Sequence, residues 1–133
     1  MDFVYGELEN KKIKQAACGF LHTACLTEDG EVYTWGLGKN GALGHGNWDQ
    51  VSAPKKVEGL KDIVKIDCGI DFTIALDKDG NLYSWGSNRY GQLGLTQSNI
   101  MKHNLPSKMI LPHGVGKVID FSCGEEHSAF LND

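Results

Sequence analysis

The chain has 133 residues, of which 41% are hydrophobic and 23% charged, with a formal net charge of -4. That balance fits a folded chain and excludes a disordered one. It also argues against a nucleic-acid surface, which needs a dense basic patch.

Met1-Asp2-Phe3-Val4-Tyr5 lacks a basic region followed by an apolar stretch, so no signal peptide is expected. Lys11-Lys12-Ile13-Lys14, the longest basic cluster, reads as the polar side of a strand. Ala16 and Cys18 share one face of a short alternating segment. Thr23-Ala24-Cys25-Leu26 follows as a strand, and Asp29-Gly30 as a hairpin signal, because glycine accepts positive φ. Val32-Tyr33-Thr34-Trp35 returns as the partner strand. Gly36 to Gly46 is glycine-rich, and Trp48 stands beyond it. The order then repeats. Val64, Ile66 and Cys68 are expected on one face, then come Thr73–Leu76, Asp79-Gly80 and Leu82–Trp85. An unrepeated stretch from Thr96 to Gly116 carries Lys102, His103, Lys108 and His113. Ile119, Phe121 and Cys123 open a third copy, which continues to Ser128–Leu131.

Residues 16–46 align with 66–96 without a gap, with 12 identities in 31 positions. Cys18 and Cys68 stand 50 residues apart, as do Trp35 and Trp85, whereas Cys123 follows Cys68 by 55. The units run approximately over 13–62 and 63–117, with an incomplete third over 118–133. Short antiparallel strands repeating at this period, without an amphipathic helix, predict an all-β fold: a partial β-propeller of repeated blades.

The pattern Cys-Gly-x-x-His-Thr…Leu-Thr-x-Asp-Gly-x-Val-Tyr-x-Trp-Gly…Asn-Gly-x-Leu-Gly resembles the repeat of the regulator of chromosome condensation family. Residues 16–46 carry it nearly whole. Residues 66–96 carry it with Phe72 in place of His, and residues 121–133 carry its first third. The resemblance implies rings of about seven blades that present loops to protein partners. It also implies a rival reading, because the founding member is an exchange factor for the small GTPase Ran. Kelch repeats have a similar period, but their Gly-Gly doublet does not occur here.

Several motifs suggest chemistry. Gly36-Leu37-Gly38-Lys39-Asn40-Gly41 matches a dinucleotide loop, yet Ala42–Gly46 is too glycine-rich to start the helix that a phosphate needs, so no cofactor is expected. Cys18, His22 and Cys25 suggest zinc. If Cys18 to His22 is extended, however, their Cα atoms lie about 13 Å apart, and no metal is expected. Cys18, Cys68 and Cys123 recur before glycine and read as core fillers rather than nucleophiles. Asp29 and Asp79 recur in turns, which makes them poor acid/base candidates. No catalytic constellation is found. Trp35 and Trp85 recur with Tyr33 and Tyr83 and are expected in the core.

The expectation is therefore a non-catalytic protein–protein interaction module or structural subunit. The alternative is part of a guanine-nucleotide exchange factor for a small GTPase of the Ran type. Partner contact is expected at residues outside the repeat: Trp48, Lys102, His103, Lys108 and His113. The four cysteines form no C-x-x-C pair and are expected as reduced thiols in an intracellular protein, cytoplasmic or nuclear. Neither direct nucleic-acid contact nor membrane insertion is expected. Open blade edges are expected to cause self-association or to be completed by another chain.

Overall fold

A computed structural model of the chain describes residue 8 and residues 10–87, 102–109, 117–124 and 128–132. Among the described residues there are ten strands and no α-helix. Strands β1 (Ile13–Cys18), β2 (His22–Thr27), β3 (Val32–Gly36) and β4 (Val51–Lys56) form one antiparallel sheet in that order. Strands β5 (Ile63–Cys68), β6 (Phe72–Asp77), β7 (Leu82–Ser87) and β8 (Lys102–Lys108) form a second sheet of the same order. Strands β9 (Val118–Cys123) and β10 (Ser128–Asn132) pair antiparallel as a third.

The hairpins follow from local chemistry. Gly30 closes the β2–β3 turn with φ 82° and donates its N–H to the Thr27 carbonyl at 3.1 Å. Gly80 does the same for β6–β7, with φ 87° and a bond to Asp77 at 3.2 Å. An L-residue would be strained at either position. The outer strands β4 and β8 carry Pro54 and Pro106, which cannot donate to a further strand, so the outer edges resist strand addition.

The sheets stack face to face. Ala24, Leu26 and Val32 of the first sheet pack against Ile66, Cys68, Ala75 and Trp85 of the second. Phe72, Ile74, Leu76 and Leu82 turn the other way and meet Val118 and Phe121 of the third. Every residue of β6 is consequently buried. This is a blade stack in which each sheet hides one face on each neighbour.

The innermost strands are bridged by side chains. The Gln15 amide donates to the Ile66 carbonyl at 2.6 Å and accepts from the Ile66 N–H at 2.9 Å. At the equivalent position Lys65 donates to the Phe121 carbonyl at 2.7 Å and pairs with Asp120. Asp67 accepts the Cys123 N–H at 3.0 Å.

Two sequence expectations need correction. Val64 and Ile119 were expected on the core face, but they are exposed, and Ile63 and Val118 are buried instead. The register shifts between Ile13 and Gln15, between Ile63 and Lys65, and opposite Asp120–Val118. A β-bulge at the same place in each blade moves one residue out of alternation, so strict period-2 counting fails there. The second correction concerns tryptophan. Trp85 is completely buried, whereas Trp35 is only partly so. Trp85 faces the first sheet, and Gly44 of the β3–β4 loop lies against its indole. Trp35 lies on the opposite side of the first sheet, where no further sheet stacks among the described residues.

Candidate partner-binding face

The antiparallel order places the β1–β2 turn (19–21), the β5–β6 turn (69–71), the β3–β4 loop (37–50) and the start of β8 at one end of the blades. The glycine-rich loop does not stay on its own sheet. It crosses to the second sheet as a strap. The Thr34 hydroxyl donates to the Leu43 carbonyl at 2.6 Å, fixing the strap at its root. On the second sheet, the Thr73 hydroxyl donates to the Ala42 carbonyl at 2.9 Å. The Gly46 N–H donates to the Asn104 carbonyl at 2.9 Å. The Asn40 amide donates to Asp71 Oδ2 at 3.0 Å, and Lys102 Nζ to the Lys39 carbonyl at 3.4 Å. The sequence after Gly36 builds no helix, and Gly41, Gly44 and Gly46 all adopt left-handed φ. The motif is therefore a blade-to-blade connector by geometry.

The strap brings Trp48 and Lys102 together. Trp48 is 44% exposed, and Lys102 Nζ stands 4.6 Å from its ring centroid. These two residues are 54 positions apart in the chain. An exposed cation–π pair of this kind contributes about 0.5–1 kcal/mol and holds the indole with one face covered. His103 lies beside them but is half-buried, with Nε2 at 2.6 Å from Ser107 Oγ. Lys108 is exposed at the far end of β8, opposite Tyr83, whereas Lys102 lies opposite Ser87, which separates the two by about 13 Å along the sheet. His113 lies outside the described residues. Trp48, Lys102 and His103 thus share one end of the blades, and Lys108 lies at the other.

Sequence reasoning overlooked a second feature of this end. Phe20 is 75% exposed, and with Leu21, Leu37, Ile70 and Lys39 it lines a cleft of about 120 Å³. The available signal was an apolar pair in a turn: Phe20-Leu21 stands where the other copies have Ile70-Asp71 and Glu125-Glu126.

His22 forms the floor of the cleft and is buried. Its ring covers Gly19, as the Phe72 ring covers Gly69, so the ring position and the glycine of Cys-Gly-x-x-His/Phe form one packing unit. A Cβ on either glycine would collide with that ring. The Thr73 hydroxyl gives its proton to Ala42, so it accepts from His22 Nε2, at 3.0 Å. Burial lowers the imidazole pKa to about 4, so the ring is neutral and serves as a donor between blades. The extended geometry assumed for Cys18–His22 does not occur. Residues 19–22 form a tight turn in which the Gly19 N–H donates to the His22 carbonyl at 2.8 Å. Among the described residues no three His, Cys, Asp or Glu side chains lie close enough together to hold a metal ion.

The repeated cysteines differ by blade: Cys18, expected as a core filler, is exposed on the outer side of the first sheet, whereas Cys68 is buried and Cys123 partly so. Burial pushes the Cys68 thiol up to about 12 and raises Cys25 and Cys123 as well, which keeps all three protonated and unreactive near neutral pH. Asp77 accepts from the Asp79 and Asn81 N–H groups at 3.0 and 2.9 Å, closing its own turn. No helix among the described residues is long and apolar enough to cross a membrane.

Comparison with known proteins decides the family. The model of the Regulator of chromosome condensation (RCC1) repeat matches residues 29–76 and 79–131, and a second model of the same repeat matches 13–42 and 63–92. The chain belongs to the RCC1 repeat family. The 29–76 match spans β3 to β6, so one RCC1 repeat joins the outer half of one blade to the inner half of the next. The human E3 ubiquitin-protein ligase HERC2 is 51% identical over 53 residues, which are 40% of this chain and 1% of that protein. Human WBSCR16 superposes with a TM-score of 0.81 at 32% identity, covering 98% of this chain and 32% of that one. Prp20p from Saccharomyces cerevisiae, studied for its binding to Gsp1p and histones, superposes with a TM-score of 0.77 at 30% identity, covering 93% of this chain and 29% of that one. This RCC1-repeat chain therefore spans at most about a third of the relatives it matches, and it shares their β-propeller fold.

Proposed function

We propose that this RCC1-repeat chain is a non-catalytic protein-interaction module. Its partner-contact residues are Trp48, Lys102 and His103, together with Phe20, Leu21 and Leu37 at the same end of the blades. The observation that carries the reading is the exposed Trp48 indole, held under Lys102 by a strap anchored on two blades. Exposed aromatics fixed on a rigid scaffold lose little entropy when a protein docks. Lys108 and His113 lie apart from this cluster in space or outside the described residues, and remain candidates for a separate contact. The repeat units are those over approximately 13–62, 63–117 and 118–133.

Prp20p, with its binding to Gsp1p and histones, supports protein partners for this chain too. A small GTPase of the Ran type and a histone dimer are therefore the probes of choice. The test is surface-immobilised binding of each, comparing wild type with Trp48→Ala/Lys102→Ala. The reading expects a partner whose affinity falls at least tenfold in a double variant that circular dichroism shows to be folded at the assay temperature. Equal binding by both proteins would remove this face from the interaction. The second reading, part of an exchange factor, expects concentration-dependent acceleration of fluorescent-GDP release from the GTPase. Release at the uncatalysed rate would overturn it.

Self-association, or completion of the propeller by another chain, belongs to the same proposal. Among the described residues β10 pairs with β9 alone, and its other edge can accept a strand. Sedimentation over a concentration series tests this, and a monomer at every concentration would refute it. An intracellular setting, cytoplasmic or nuclear, is the compartment that fits the unpaired cysteines.

A further inference from the structure

Asn40 is followed by Gly41 at the turn of the strap. In an Asn-Gly pair the side-chain amide carbon sits beside a backbone nitrogen that no Cβ shields, and the glycine can rotate freely. Such pairs close on themselves and lose ammonia, which makes asparagine thermolabile. Here both reacting groups are tied. The Gly41 N–H donates to the Gly38 carbonyl at 2.9 Å, and the Asn40 amide donates to Asp71 Oδ2 at 3.0 Å. The second bond spans the two sheets, because Asp71 lies in the β5–β6 turn.

We infer that Asn40 is a site of spontaneous deamidation, guarded while the strap is closed on the second blade, and that the reaction prevents the strap from closing again. Gly41 N gives up its proton and its lone pair attacks Asn40 Cγ. An N–Cγ bond forms, the Cγ–Nδ2 bond breaks, and ammonia leaves with the proton. Water then opens the succinimide ring at either carbonyl and leaves aspartate or isoaspartate at position 40. No oxidant or reductant is involved. The product lacks the Nδ2 donor and places a carboxylate against the Asp71 carboxylate, where like charges repel. The clamp between blades thus becomes a repulsive contact. The isoaspartate form also adds a backbone atom to the strap. Trp48 and the Phe20 cleft are held by the same strap, so partner contact would fade with age; this last consequence rests on the proposed function, whereas the chemistry does not.

The experiment ages the full chain in mildly alkaline buffer and follows peptide mass and isoaspartate content. It compares wild type, Asp71→Ala, and wild type unfolded in urea. Asn10-Lys11 and Asn47-Trp48 serve as internal controls. Asn40 is expected to react fastest of the three in urea, at least tenfold more slowly in the folded wild type, and severalfold faster again in Asp71→Ala. Circular dichroism verifies that this variant stays folded. Equal rates at Asn40 in folded and unfolded chain, or in wild type and a folded Asp71→Ala, would overturn the guarding. A second measurement is independent of any rate. Asn40→Asp should lower the melting temperature, and Asn40→Asp/Asp71→Asn should restore it by returning one donor and one acceptor to the clamp. A melting temperature for Asn40→Asp equal to wild type, or no recovery in the double variant, would overturn the claim that the product opens the strap.

Discussion

Trp85 offers the sharpest test of how the blades hold together. Its side chain is completely buried between the first and second sheets, in contact with the Ala24–Leu26–Val32 face and with Gly44 of the strap. Trp85→Ala removes a large fully buried side chain and should cost about 3–5 kcal/mol. Trp35 holds the equivalent repeat position but is only partly buried, so Trp35→Ala should cost about half as much. A third variant separates packing from polarity. Trp85 Nε1 is buried with no hydrogen-bond partner among the described residues, a defect that costs about 1–3 kcal/mol. Trp85→Phe loses about two buried carbons, roughly 1.6 kcal/mol at 0.8 per methylene, and removes the unsatisfied N–H. The two effects nearly cancel, so this variant should lie within about 1 kcal/mol of wild type. Urea unfolding followed by far-ultraviolet circular dichroism reads all three, provided the slopes stay equal and the transition two-state. Equal losses in Trp35→Ala and Trp85→Ala would refute the assignment of Trp85 to the blade junction. A Trp85→Phe cost as large as that of Trp85→Ala would show that the indole N–H is satisfied.

His22 gives a pH signature. Its folded pKa, about 4, lies below the ordinary 6.5, so the unfolded chain binds the proton more readily. The stability it confers is complete above pH 6.5 and is lost as pH falls toward 4, by about 3 kcal/mol across that window. His22→Phe, which copies Phe72, should flatten this dependence; an unchanged slope between pH 6.5 and 4 would contradict the burial of the ring. Gly19→Ala and Gly69→Ala drive a Cβ into the His22 and Phe72 rings, and should each destabilise by about 1–3 kcal/mol in thermal melts. Lys102→Ala should cost no more than about 1 kcal/mol yet change Trp48 fluorescence, because the cation lies over the ring. Unaltered emission would show that the pair does not form in solution.

The all-β class, the hairpins and the repeat were legible in the residues themselves. Asp29-Gly30 and Asp79-Gly80 specify their turns because a left-handed glycine is a local requirement, satisfied within four residues. The 50-residue spacing of Cys18 and Cys68, and of Trp35 and Trp85, encodes a blade because each sheet must hide both faces on like neighbours. Trp48 stood out as unrepeated, but its partner Lys102 could not be named from spacing, since the contact depends on where the strap lands. The bulge that buries Ile63 and Val118 in place of Val64 and Ile119 was likewise invisible, because one extra residue in a strand leaves the composition of the alternation unchanged. Trp35 and Trp85 are the same letter in the same motif, and only the stacking of sheets separates the partly buried ring from the fully buried one. Short-range hydrogen bonding writes itself into the sequence as turns and periods. Contacts between blades join residues 31 to 63 positions apart, and only the tertiary path of the strap and the register of the inner strands decides which of them meet.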